Sequence, residues 1–98
     1  MKIPSQFSLM SQDIQVKFIS DLHLKQQALG QSLFNEGLIL IQKNTKAYPM
    51  SKDQQLQTFF HELFHFILYA LNEHDKNTDE RFVDLVGSML HQFHKSKK

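Results

Sequence analysis

The sequence predicts an α+β fold: a small antiparallel β-sheet packed on one side of a long helix, with a second long helix after it. Three observations predict this. Between about Ile14 and Gln42, short apolar runs with β-branched residues are separated by a turn signal. Ser51-Lys52-Asp53-Gln54 opens an apolar stretch that continues to about Leu71, too long for a strand. After a polar break at Asn72–Thr78, a second apolar-periodic stretch runs from Glu80 to about Phe93.

Composition bounds the function. At 98 residues the chain reads as one domain, 1–98, with a modest core. A bound metal would add to its folding free energy. The formal net charge is +1, which argues against nucleic acid as a partner and against attraction to an anionic membrane. There are no cysteines, so disulfides and thiolate sites are excluded and His, Asp and Glu are left as the strong metal ligands. The N-terminal segment has no apolar core of the kind a secretory signal needs, because Pro4, Ser5, Gln6 and Ser8 interrupt it. The apolar run around residue 61 carries His, Glu and His, which disfavours a membrane span. The expectation is a soluble, cytoplasmic protein.

Residues 1–13 are polar with scattered Phe7, Leu9 and Met10, and admit a short strand or an arm. Ile14, Val16 and Phe18 alternate with Gln15 and Lys17, the pattern of a half-buried strand. Asp21 to Gln27 carries no periodic signal. Ala28 to Phe34 is a second candidate strand, and Asn35-Glu36-Gly37 after it suits a tight turn because Asn and Gly tolerate left-handed backbone. Leu38-Ile39-Leu40-Ile41 is a continuous apolar run of strand length, read as core and as the strand that borders a cleft. Lys43 to Met50 is a loop. In the long helix, Leu56, Phe59, Phe60, Leu63, Phe64, Ile67, Leu68 and Leu71 cover most of the circumference, so it is buried on several sides. Asn77 or Thr78 is the expected cap of the last helix, with Glu80 as a capping-box partner of Asn77. His94 to Lys98 reads as a frayed basic tail.

The chemistry concentrates in His61-Glu62-Leu63-Phe64-His65. Two histidines at i and i+4 lie one turn apart on one helix face, so both imidazoles reach one point. They suit zinc (Zn2+), and they leave the ion short of its usual four bonds. Glu62, beside the first histidine, is placed to act as catalytic base on water rather than to bind the ion. A third ligand must come from downstream, where Glu73, His74, Asp75, Asp79, Glu80, Asp84, His91 and His94 are available. Glu80, Asp84, Gly87 and His91 share one stripe of the last helix at spacings of 4, 3 and 4. Gly87 in mid-helix costs about 1 kcal/mol relative to Ala and signals close approach of another backbone, expected to be the His61 helix. That turns Glu80 and Asp84 toward the metal. Glu80 is the longer side chain and sits at the helix start, where the dipole favours an ionised carboxylate, so it is the expected ligand. Asp84 then suits a hydrogen bond to the outer nitrogen of a ligand histidine. His74, Tyr48 and Tyr69 are weaker candidates for a second oxyanion donor.

A short sheet, H-E-x-x-H, and a second helix opening Glu80-Arg81-Phe82-Val83-Asp84-Leu85-Val86-Gly87 together resemble the ImmA/IrrE-like metallopeptidases, a zincin-like fold, over about Ala28 to Leu90. Glu80 falls on that family's third metal ligand, Val83 and Gly87 on its small residues, and Asp84 on its Asn. Gly37 to Ile41 looks like its hairpin strand. The linker from His65 to Glu80 is short and no helix-turn-helix is present. The resemblance implies a stripped-down, phage- or prophage-type zinc metallopeptidase with a protein or peptide substrate. The second expectation is a metal-stabilised binding module that no longer cleaves anything.

Overall fold

The computed structural model describes residues 2–97; Met1 of the N-terminal segment and Lys98 of the basic tail lie outside the described residues. In order along the chain come β1 (Gln6–Leu9), β2 (Gln12–Ile19), α1 (Leu22–Lys25), β3 (Gly30–Leu33), β4 (Leu38–Gln42), α2 (Lys52–Ala70), α3 (His74–Asn77) and α4 (Glu80–Ser96). The architecture is α+β, as the sequence predicts, with a four-stranded sheet ordered β1-β2-β4-β3.

The sheet is mixed rather than antiparallel throughout. β1 pairs antiparallel with β2, and β3 with β4, but β2 and β4 run parallel from Gln15 beside Leu38 to Ile19 beside Gln42. Local alternation and turn residues specify two hairpins. They do not specify how one hairpin docks on the other. Burial decides that, because Ile14, Ile39 and Ile41 are each 0 % exposed and the interior strands are therefore β2 and β4. Leu38 to Ile41 accordingly lies inside the sheet, and the strand with a free edge on that side is β3.

The β1–β2 turn places Met10 at φ 47° and Ser11 at φ 72°. Both are left-handed, as a two-residue hairpin turn requires, yet neither residue type signals it. Phe18, expected inside with Ile14 and Val16, is 40 % exposed, at the surface beside Lys43, Asn44 and Gln55. The segment without periodicity is held by a buried side chain. The Gln42 amide donates to the Ser20 and Lys43 carbonyls at 2.8 and 3.0 Å, and its oxygen accepts the His23 backbone N–H at 2.8 Å. With every group paired, this costs the core little.

α2 starts on the expected capping box. Ser51 Oγ accepts the Gln54 N–H at 3.0 Å and Gln54 Oε1 accepts the Ser51 N–H at 2.9 Å. Its sheet-facing residues Leu56, Phe59, Phe60 and Phe66 form one core with Ile14, Val16, Ile39 and Ile41. Each such side chain contributes about 1.5–3 kcal/mol on burial. The helix ends with Asn72 at φ 58°, and the N–H groups of Glu73 and Asn72 close back on the Leu68 and Tyr69 carbonyls. That reversal sends the chain back along α2.

α4 is capped by Asp79, whose carboxylate accepts the Phe82 N–H at 3.1 Å, and not by Asn77 or Thr78. Glu80 is therefore free of capping duty. The helix continues to Ser96 instead of ending near Phe93. It crosses α2 where Gly87 meets His61, and a Cβ at Gly87 would lie 3.0 Å from His61 Cα. Among the described residues no helix is long and apolar enough to cross a membrane.

Candidate metal centre

α2 carries His61 and His65 on the face that meets both β3 and the start of α4. The two rings stand 5.0 Å apart, centroid to centroid, at 72°. From α4, Glu80 reaches across, with Oε2 3.2 Å from His61 Nε2 and Oε1 3.1 Å from His65 Nε2. Ligand atoms of His61, His65 and Glu80 all lie within 4.8 Å of one another. Ligands at 2.0–2.1 Å from a tetrahedral zinc ion sit about 3.4 Å from each other, so separations of 3.2 and 3.1 Å to the two Glu80 oxygens are of the size a shared ion would need.

The outer nitrogens strengthen this fit. His65 Nδ1 lies 2.5 Å from Asn77 Oδ1. With Nδ1–H donated to that carbonyl, Nε2 carries a lone pair. A lone pair facing a carboxylate is two acceptors in contact, and it requires either a proton or a cation between them. His61 Nδ1 lies 3.5 Å from Asp84 Oδ1, in ion-pair range. Asp84 thus approaches His61 from the side away from Glu80. Asn77, expected as a helix cap, instead orients His65. Nothing in a polar break of this composition distinguishes such an asparagine from a capping one.

The other downstream candidates go elsewhere. His91 Nε2 pairs with Asp53 at 2.9 Å, Asp79 caps α4, and Glu73 sits 3.9 Å from Lys76. Tyr48 packs at a tilt of 33° against His23, and Tyr69 stacks on Phe34. His74 lines the groove described next.

His61 and His65 sit on the floor of a groove of about 770 Å³, and Glu80 reaches over them from its rim, its side chain 69 % exposed. One wall is β3 with Ala28, Leu29 and Phe34; the other is built from α3 and the start of α4. Glu62 lies on the floor, 6 % exposed, and accepts a hydrogen bond from Ser32 Oγ at 2.7 Å. Burial pushes the Glu62 carboxyl above its usual range; the Ser32 bond, then His61 and His65, pull it down, and Glu80 adds a smaller upward push. Ser32 was not singled out in the sequence, and neither was Gly30. A Cβ at Gly30 would come within 2.8 Å of Glu62 Oε2 and 2.6 Å of Thr58 Cγ2, so only glycine lets β3 lie this close to α2.

The raised Glu62 carboxyl fixes a sign. A group whose folded pKa exceeds its unfolded value contributes stability below the unfolded pKa, and that contribution is lost as pH rises through the folded pKa. In metal-free protein, Glu62→Gln should therefore leave stability unchanged below the pKa of an ordinary glutamate and raise it at neutral pH. Thermal melts of both proteins in chelator across pH 4 to 8 check this. A variant less stable than wild type at neutral pH would show that the Ser32 bond outweighs burial.

No protein-family model matches this chain, and no match was found among curated proteins or among solved structures.

Proposed function

We propose that this protein is a zinc-dependent peptidase, with His61, His65 and Glu80 holding the ion and Glu62 as the catalytic base. One observation carries the reading. A buried carboxylate, Glu62, sits on the floor of an open groove beside a His/His/Glu cluster whose imidazoles are held from behind by Asn77 and Asp84. Glu62 and His65 are buried at 6 % and 9 % exposure, and a packed core has no use for an ionisable pair there, because such groups are costly to bury without a task; the Glu80 and Asp84 carboxylates reach the histidines from the solvent side. When bound, zinc supplies Lewis-acid polarisation of a carbonyl and lowers the pKa of water.

The chain's own residues do the rest. Glu62 takes the proton of the attacking water and passes it to the leaving amine. Its upward-shifted carboxyl suits both halves of that transfer. β3 offers a binding edge. The Gln42 N–H bonds to the Leu29 carbonyl, so in the β3–β4 ladder Gly30 and Ser32 fall at the positions whose N–H and C=O point away from β4. An extended peptide can pair with those groups as an added strand along the groove. This role moves from Leu38–Ile41, where the sequence suggested it, to β3. Resemblance to the ImmA/IrrE-like peptidases agrees with this reading through the same residues, and a protein or peptide is the expected substrate.

The test is Glu62→Gln in zinc-loaded protein. Hydrolysis of an unstructured protein such as casein should fall by about 10²–10⁴-fold with zinc stoichiometry unchanged. Undiminished hydrolysis would remove Glu62 from the reaction. Full zinc occupancy with no hydrolysis by wild type would favour the second reading, a metal-stabilised binding module. For that reading the specific observation is an outward stripe on α4, where Leu85, Met89 and Phe93 are 54 %, 69 % and 67 % exposed.

A further inference from the structure

We propose that the groove selects its substrate through Phe34. It takes an extended peptide segment with an aromatic or long aliphatic side chain within two residues of the cleaved bond, on one side only, and disfavours acidic residues. This names the substrate class of the peptidase reading and rests on it.

Phe34 directly follows Leu33, the last residue of β3, and lines the groove. Its ring is fixed by two neighbours, edge-on to Phe66 at 5.1 Å and stacked on Tyr69 at 4.6 Å and 7°. Phe66 is buried, whereas Tyr69 is 42 % exposed, so the ring pair lies at the surface end of a rigid aromatic cluster. A preset aromatic surface in a groove binds a further ring or aliphatic chain without having to be ordered first.

Register places this surface close to the reaction. β3 runs in the same direction as α2: Gly30 lies against Thr58 and Glu62, Ser32 bonds Glu62, and Phe34 packs on Phe66 and Tyr69. Glu62 to Phe66 is about 6 Å along the helix axis. Two residues of an extended peptide span about 6.8 Å, and side chains on one face recur at that interval. A bond held at Glu62 therefore delivers a side chain one or two residues away to Phe34. The opposite end of the groove is lined by Gln54, Gln57 and Thr58 with Ala28 and Leu29, and among the described residues it has no aromatic side chain, which makes the aromatic preference one-sided. Charge adds the second criterion. The groove lining contains Glu62, Glu80 and Asp84 and no Lys or Arg, so three carboxylates outweigh one divalent ion and oppose an acidic ligand.

Two measurements on zinc-loaded full-length protein test this. In the first, a peptide library made from a cell extract is incubated with wild type, Phe34→Leu and Phe34→Ser, and cut sites are read by mass spectrometry. Wild type should show aromatic and long aliphatic residues enriched about tenfold on one side of the bond, with Asp and Glu depleted. Phe34→Leu should keep the aliphatic and lose the aromatic preference, and Phe34→Ser should lose both. The second measurement is independent of turnover. Phenylalanine, glycine and aspartate hydroxamates are titrated by calorimetry, and should bind in that order of decreasing affinity. Phe34→Ser should erase the roughly tenfold gap between the first two. Cleavage without positional preference, a preference that survives Phe34→Ser, or equal binding of phenylalanine and glycine hydroxamates would overturn the subsite and leave the peptidase reading standing. No cleavage by wild type together with the expected hydroxamate order would overturn the peptidase reading and leave the apolar subsite. Failure to bind zinc would overturn both.

Discussion

Glu80→Ala should abolish tight zinc binding, while Asp84→Ala and Asn77→Ala should each weaken it by about 10–100-fold. Wild type should hold about one divalent ion per chain, as a His/His/carboxylate site does. The carboxylate of Glu80 is the group that approaches both inner nitrogens, at 3.2 and 3.1 Å. Asp84 approaches only the outer nitrogen of His61, at 3.5 Å, and Asn77 only that of His65. At the proposed site, removing Glu80 would thus remove a bond to the ion, whereas removing Asp84 or Asn77 would loosen a ring that could still bind it. His61→Ala should match Glu80→Ala, and should lose the rise in melting temperature that zinc confers on the wild type. Competition against a chelator of known affinity, followed by elemental analysis, ranks the four variants. A fully loaded Glu80→Ala protein, or an Asp84→Ala protein more damaged than Glu80→Ala, would remove Glu80 from the ligand set.

Gly87→Leu is expected to be the most damaging single change outside the ligands. A Cβ alone at position 87 would stand 3.0 Å from His61 Cα and 3.2 Å from His61 N, both of them backbone atoms that cannot rotate away. Gly87→Ala adds only that atom, and its overpacking is partly offset by about 1 kcal/mol of helix propensity. Leucine adds three further carbons at the crossing. The helices must then separate, at a cost of about 3 kcal/mol or more, or roughly 10–20 °C in melting temperature for a chain this size. Separation also lifts Glu80 away from His61 and His65, so zinc affinity should fall although no ligand has changed. Thermal melts with and without zinc on the alanine and leucine variants check both effects. Unchanged zinc affinity in a folded Gly87→Leu protein would show that the close crossing does not set the ligand geometry.

Much of this was legible because it is local. H-E-x-x-H puts His61 and His65 on one face by helix geometry alone, wherever the helix lies. The capping box at Ser51 and Gln54 sets the helix start by bonds within four residues, and a glycine in the middle of α4 announces a close neighbour before that neighbour is known. The expectation of Glu80 over Asp84 rests on side-chain length and position on a stripe, both of which are read from the sequence.

The remainder depended on parts of the chain distant in sequence. The parallel docking of β2 on β4 follows from which hairpin face could be buried, and no alternation pattern within either strand encodes it. Ser32 reaches Glu62 across 30 positions and Asn77 reaches His65 across 12, and a serine in a strand or an asparagine in a polar break looks the same whether or not it makes such a bond. Gly30 matters only because α2 passes within van der Waals distance of it. By itself, the sequence determined two helices, the strand-forming segments and the residue types able to hold a metal, since these depend on spacing and local hydrogen bonding. Only the tertiary structure decided which strand edge borders the groove and what holds each imidazole and the Glu62 carboxylate. Those are contacts between elements, fixed by how the apolar faces pack rather than by the order of residues within any one of them.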